Sequence, residues 1–207
     1  MTRLSTGIPV LDRQLDGGFP AGSIVLLSAP PASQSELFLY DFTAPRRTLY
    51  LTTLRSEESV HDSFVDTTSH VTVPKIMELG ADAPLDEANQ LIGMLPEEST
   101  LIIDALNPLE EQDHNRYRFF LNQLQRHLQN TDSVAILHAL SGQYIPESRD
   151  MTEYMADIVF DLQTTVRGNE VINKLAVPKF RGGRALEDTV KLKLTEAVTI
   201  DTSRDIA

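Results

Sequence analysis

The sequence predicts an α/β domain with a mostly parallel central sheet, helices on both faces and an antiparallel hairpin at its C-terminal end. Three observations predict it. Short apolar runs rich in β-branched residues recur at Ile24 to Leu27, Thr48 to Thr52, Leu101 to Ile103, Val134 to Leu137 and Ile158 to Leu162. Each is bounded by polar or Gly/Pro punctuation, the pattern of strands buried on both sides. Between them, Leu85, Ala88, Leu91, Ile92 and Leu95 keep one helical face, and Tyr117, Phe120, Leu121, Leu124 and Leu128 keep another. Strands alternating with helices imply crossover connections and hence parallel pairing. Beyond Tyr154 the pattern changes. No helix is evident there, and Val171 to Phe180 and Val190 to Leu194 read as strands separated by a Gly-rich turn, an antiparallel hairpin at a sheet edge.

The chain has 207 residues, enough for one sizeable core, and no linker or repeat divides it, so residues 1–207 are expected to form a single domain. No run approaches the roughly 18 apolar residues of a membrane span, and the opening stretch lacks the apolar core of a signal peptide. A cytoplasmic protein without membrane contact is expected. With no cysteine there is neither a disulfide framework nor a thiolate metal site, and His61, His70, His114, His127 and His138 never fall at metal-pair spacing. The formal charge of -12, from 30 acidic and 18 basic residues, disfavours direct binding to nucleic acid, which needs Lys and Arg to displace phosphate counterions. Low aromatic content without aromatic-basic interleaving argues against stacking on unpaired bases. The basic residues include only Lys75, Lys174, Lys179, Lys191 and Lys193 as lysines, and an acidic, lysine-poor, cysteine-free surface resembles that of proteins from high-salt archaeal cytoplasm, where screening is nearly complete.

The N-terminal run Thr6-Gly7-Ile8-Pro9-Val10-Leu11-Asp12 is followed by Leu15-Asp16-Gly17-Gly18-Phe19-Pro20-Ala21-Gly22-Ser23 and then the first strand. Gly17 and Gly18 free the backbone for positive φ, Pro20 fixes the next turn, and Gly22 lets the chain double back into the strand. The whole pattern resembles the N-terminal approach of KaiC-like and RadA/Rad55-like ATPases of the RecA superfamily. The resemblance covers almost the whole chain and implies a RecA-like P-loop NTPase fold.

Where that family carries a phosphate-binding loop of the form G-x-P-G-x-G-K-T, this sequence reads Ala29-Pro30-Pro31-Ala32-Ser33-Gln34-Ser35-Glu36-Leu37. Pro31, Ser33 and the apolar helix positions Leu37 to Phe42 hold the frame. Ala29, Ala32 and Gln34 stand where the resemblance implies glycines, Ser35 where it implies the lysine, and Glu36 where it implies the magnesium-binding hydroxyl. A Cβ in such a loop obstructs phosphate or costs about 1 kcal/mol or more at positive φ. Losing the lysine removes charge-assisted hydrogen bonds of roughly 1.5–3 kcal/mol each. A carboxylate about 4 Å from phosphate at an effective dielectric near 20 adds about 4 kcal/mol of repulsion. These together exceed half of the ~8 kcal/mol behind micromolar binding, so no tight ATP site of the usual kind is expected. The opposing reading has Glu36 and Asp104 holding magnesium, which would offset the repulsion and permit weak Mg-ATP binding.

Three further segments carry the resemblance. Leu101-Ile102-Ile103-Asp104 is similar to a Walker B strand, ending in an acid at the carboxyl end of the sheet; by itself it also reads as a buried strand entering a turn. Glu57 and Glu58 lie near the place of the family's catalytic glutamate but are displaced by Leu54-Arg55-Ser56, and they equally suit the first turn of a helix running towards Phe64. Lys179-Phe180-Arg181-Gly182 resembles the K-x-R-G element by which KaiC-like subunits reach a neighbour's nucleotide. On a strand, Lys179 and Arg181 share a face; they read either as interface anion contacts or as exposed bases on an acidic surface. His138 reads as a hydrogen-bonded core residue with no nucleophile beside it.

These readings converge on a KaiC/Rad55-like regulatory or scaffold protein that does not hydrolyse ATP, acts in signal transduction, and binds copies of itself or related RecA-family subunits. Two others stand beside it: a weak Mg-dependent ATPase, and a RadB-like accessory that contacts a recombinase.

Overall fold

The computed structural model describes residues 2–67 and 71–201; His70 lies outside them. The chain opens with a two-stranded antiparallel ribbon, β1 (Arg3–Leu4) against β2 (Phe19–Pro20), enclosing helix α1 (Pro9–Gln14). Gly17 and Gly18 both have positive φ, 105° and 110°. At Gly18 a side chain is excluded twice over, since a Cβ would also be driven into the Leu4 carbonyl oxygen.

Strand–helix alternation follows: β3 (Ile24–Ala29), α2 (Glu36–Thr43), β4 (Thr48–Thr52), α3 (Glu57–Thr67), β5 (Lys75–Glu78), α4 (Pro84–Ile92) and β6 (Thr100–Asp104). Next come α5 (Asn107–Glu110), α6 (His114–Thr131), β7 (Val134–Leu140), α7 (Arg149–Met155), β8 (Ile158–Arg167), β9 (Glu170–Phe180), β10 (Val190–Leu194) and β11 (Val198–Ile200). The main sheet has nine strands in the order β11-β10-β9-β8-β3-β7-β6-β4-β5. Six of them, β8 to β5 in that order, are parallel, while β9, β10 and β11 are antiparallel.

The central strands are mostly apolar because both faces are covered. β3 is buried along its whole length, with α2, α3 and the ribbon on one side and α4 to α7 on the other. The apolar faces of α4 and α6 are those the spacing predicts: Leu85, Ala88, Leu91 and Ile92, and Tyr117, Phe120, Leu121, Leu124 and Leu128. α6 begins at Asp113, whose carboxylate accepts the N–H groups of Asn115 and Arg116. Leu95 is buried although α4 ends at Ile92.

The antiparallel part is larger than a single hairpin. β8 continues past Leu162 to Arg167, turns at Gly168 (φ 57°) and returns as β9; β9 then pairs with β10 as expected. Beyond Leu162 the residues of β8 are mostly polar and none is buried, because the ribbon there extends past the core.

Candidate functional site

The carboxyl ends of β3, β4, β6 and β7 meet the N-terminus of α2, the usual ligand crevice of such sheets. The two-residue period of the strands decides which side chains arrive there. Tyr50 pairs in register with Ile102, and Asp104 with His138, so Tyr50, Asp104 and His138 all project towards the face covered by α2.

They form one hydrogen-bonded chain. Asp104 Oδ2 accepts the Tyr50 hydroxyl at 2.5 Å, and Asp104 Oδ1 lies 2.6 Å from His138 Nδ1. On the far side of the imidazole, His138 Nε2 lies 3.1 Å from Ser35 Oγ. All four residues are buried. Burial alone would raise the Asp104 carboxyl, but the hydrogen bond and attraction of His138, with the Tyr50 hydroxyl, hold it below the usual carboxylate range. Burial, then the Asp104 charge, pushes Tyr50 well above the usual phenol range.

A second group sits one residue along α2. Glu36 Oε2 accepts the Tyr40 hydroxyl at 2.8 Å, and Glu36 Oε1 takes an ion pair from Arg55 at 3.1 Å. Arg55 also donates to the Ser59 carbonyl at 2.8 Å and to the Ser63 hydroxyl, which anchors it to α3. Tyr40 is pushed up to about 12, first by burial and then by the Glu36 charge.

The carboxylates of the crevice are engaged within the chain. Each oxygen of Glu36 and each oxygen of Asp104 already has a partner within the chain. The two carboxylates belong to separate groups, and the Ser35 hydroxyl faces His138. Among the described residues no cluster of three or more His, Asp or Glu side chains is arranged to hold a metal ion.

The remaining loop residues form the turn between β3 and α2. Ala29 ends β3, and its carbonyl accepts the Ser141 N–H at 2.8 Å. Ser33 Oγ donates to the Pro30 carbonyl at 2.6 Å. Pro31, Ala32 and Gln34 are exposed, and Leu37 packs into the core. Glu57 and Glu58 occupy the first turn of α3 and are exposed; neither joins the two hydrogen-bonded groups.

Lys179 and Arg181 are brought together, and their immediate partners are at the end of α7. Lys179 Nζ donates to the Glu153 and Tyr154 carbonyls, both at 2.7 Å. Arg181 donates to the Tyr154 carbonyl at 3.1 Å and pairs with Asp157 at 2.9 Å. Burial, then the neighbouring Arg181, lowers the Lys179 ammonium. Both cations thereby satisfy the last carbonyls of a helix and its negative dipole end.

Three features of the site have no local signature in the sequence. Arg55, one turn before α3, supplies the cation for Glu36. No motif in the sequence pairs His138 with a nucleophile, and the register of β6 and β7 places it between Asp104 and the Ser35 hydroxyl. The third is a buried ion pair, Arg149 with Glu110, at 2.7–3.0 Å. Thr152 donates to Glu110 at 2.6 Å, and Tyr117 lies 2.7 Å from Thr152. This group ties α5, α6 and α7 together beneath the loop that follows β7.

No helix among the described residues is long and apolar enough to cross a membrane. No curated protein matches the chain. Among solved structures it is similar to the KaiC-like protein PH0186 from the hyperthermophilic archaeon Pyrococcus horikoshii OT3, with a TM-score of 0.75 at 17% identity over 96% of this chain and 99% of that one. The likeness establishes a KaiC-like RecA fold. Residues 3–207 match the family described as "Family of unknown function (DUF7125)", and the chain belongs to that family.

Proposed function

We propose that this chain is a non-hydrolysing relative of the KaiC-like ATPases that serves as a regulatory or scaffold protein in signalling, by associating with itself or with related RecA-type subunits. The observation that supports it is the closure of the crevice on its own side chains. Ser35, His138, Asp104 and Tyr50 satisfy one another, as do Glu36, Tyr40 and Arg55. A Mg-triphosphate would have to break these contacts and would find no lysine in exchange. Leaving a buried charged group without its partner costs several kcal/mol. A RecA-type domain that spends its crevice on internal contacts keeps its surfaces, so contact with other subunits is the output it retains.

Thermal unfolding with and without about 1 mM Mg-ATP tests the nucleotide half. A site of about 10 μM affinity would add about 2.7 kcal/mol, which raises Tm by roughly 5–10 °C in a domain of this size. We expect a shift below about 1 °C, and a shift of the larger size would support the ATPase reading instead. Light scattering on the purified chain, alone and mixed with a RecA-type subunit from the same cells, tests the partner half. Association supports the proposal; monomers throughout would refute it.

A further inference from the structure

A cavity of about 570 Å³ opens at the opposite end of the sheet from the crevice, where β4, β5 and β6 begin. Its volume falls in the range of small-molecule sites, roughly 300–1,000 Å³. Leu49, Leu91 and Leu95 form its floor, at the outer margin of the core beneath α4. Met94 stands on its rim, 62% exposed and just beyond the end of α4.

The charge around this apolar floor is one-sided. Among the described residues the lining includes Arg46, Arg47 and Lys75 and no Asp or Glu, in a chain with 30 acidic and 18 basic residues. Arg46 is engaged with the Thr100 hydroxyl at 2.9 Å and with the Ser5 carbonyl. Arg47 and Lys75 are exposed, and among the described residues neither is paired with a carboxylate. Two cations placed at the mouth of a hydrophobic cavity, on a surface otherwise dominated by carboxylates, select for negative charge joined to an apolar body.

We propose that this cavity is a second ligand site, independent of the crevice, and that it takes a small organic monoanion of the medium-chain or aryl carboxylate class. The apolar body lies on Leu49, Leu91 and Leu95, and the acid group sits between Arg47 and Lys75. Binding there would bridge the edge strand β5 and the end of α4, two elements whose shared side the cavity leaves unfilled.

The test uses 1-anilinonaphthalene-8-sulfonate, an aryl sulfonate that fluoresces in apolar sites, titrated into the native chain and displaced by decanoate or by its neutral analogue decanol. We expect saturable fluorescence, displacement by decanoate at concentrations at least ten-fold lower than by decanol, and an approximately ten-fold loss of probe affinity in the R47E/K75E variant. Both substituted residues are exposed, and unchanged circular dichroism and Tm would verify that the variant folds. Probe affinity equal in the two proteins, decanol displacing as well as decanoate, or no saturable signal in the native chain would each overturn the proposal. The crevice plays no part in the readout, so failure here leaves the nucleotide result untouched.

Discussion

Replacing His138 with alanine tests whether the crevice is a folded polar network rather than an empty ligand site. The imidazole is buried and bridges Asp104 at 2.6 Å and Ser35 at 3.1 Å. Its loss leaves a carboxylate that is 8% exposed with the Tyr50 hydroxyl alone. Removing the hydrogen-bonded partner of a buried carboxylate costs about 3–5 kcal/mol, because the remaining charge stays desolvated. Against a total stability of about 5–15 kcal/mol, this is a large fraction, equal to a fall in Tm of roughly 6–20 °C at this chain length. Ser35→Ala removes only a hydroxyl contact and should cost about 0.5–1.5 kcal/mol. Urea unfolding measures both, with an unchanged m-value showing that the transition is the same. The pH dependence carries the sign. In the native chain the Asp104 carboxyl is held low, so its contribution is present above the unfolded value of about 3.9 and is lost as pH falls towards the lower folded value. In His138→Ala, burial is no longer offset by the imidazole, and that acid-side contribution should shrink. A cost below about 1 kcal/mol, or one equal to that of Ser35→Ala, would show that the buried carboxylate does not depend on the imidazole.

Tyr40 should ionise only near its raised value of about 12; the stability this gives is complete below pH 10 and lost between roughly 10 and 12, as followed by phenolate absorbance alongside unfolding, and Tyr40→Phe should abolish it. Glu110→Gln removes the charge paired with the buried Arg149 and should cost about 3–5 kcal/mol by urea unfolding, whereas the double variant with Arg149→Met should recover much of the loss. Gly18→Ala should destabilise by at least about 1 kcal/mol in the same assay, since the left-handed conformation is disfavoured for a residue with a Cβ and the added carbon meets the Leu4 carbonyl. Lys179→Ala with Arg181→Ala should lower Tm only slightly, because cations at a helix end contribute about 0.3–1 kcal/mol each.

Most of the fold was legible because strand burial and helix period are local signals. The runs at Ile24, Thr48, Leu101, Val134 and Ile158 each became a parallel strand, and the stripe from Tyr117 to Leu128 became the buried face of α6. The long β8–β9 pair was cut short because beyond Leu162 its outer residues are polar, and Gly168 gave the turn less visibly than Gly182 and Gly183 do. The crevice was legible only in outline. The loop positions from Ala29 to Leu37 could be placed by pattern, but what they touch depends on register between strands distant in sequence. Asp104 and His138 are 34 residues apart, and Ser35 reaches His138 across 103. No spacing rule connects them. Arg55 is similar: its partner Glu36 lies 19 residues earlier, at the start of α2, so a residue between β4 and α3 carried no visible role. The Arg149–Glu110 pair is the clearest case, since a buried ion pair is indistinguishable in sequence from two surface charges.

Isothermal titration of Mg-ATP into the native chain tests most directly whether the closed crevice excludes nucleotide. No saturable heat is expected up to about 1 mM, the range in which binding free energy falls to about 4 kcal/mol. A one-to-one isotherm in the low micromolar range, abolished when Ser35 and Glu36 are replaced, would contradict this expectation.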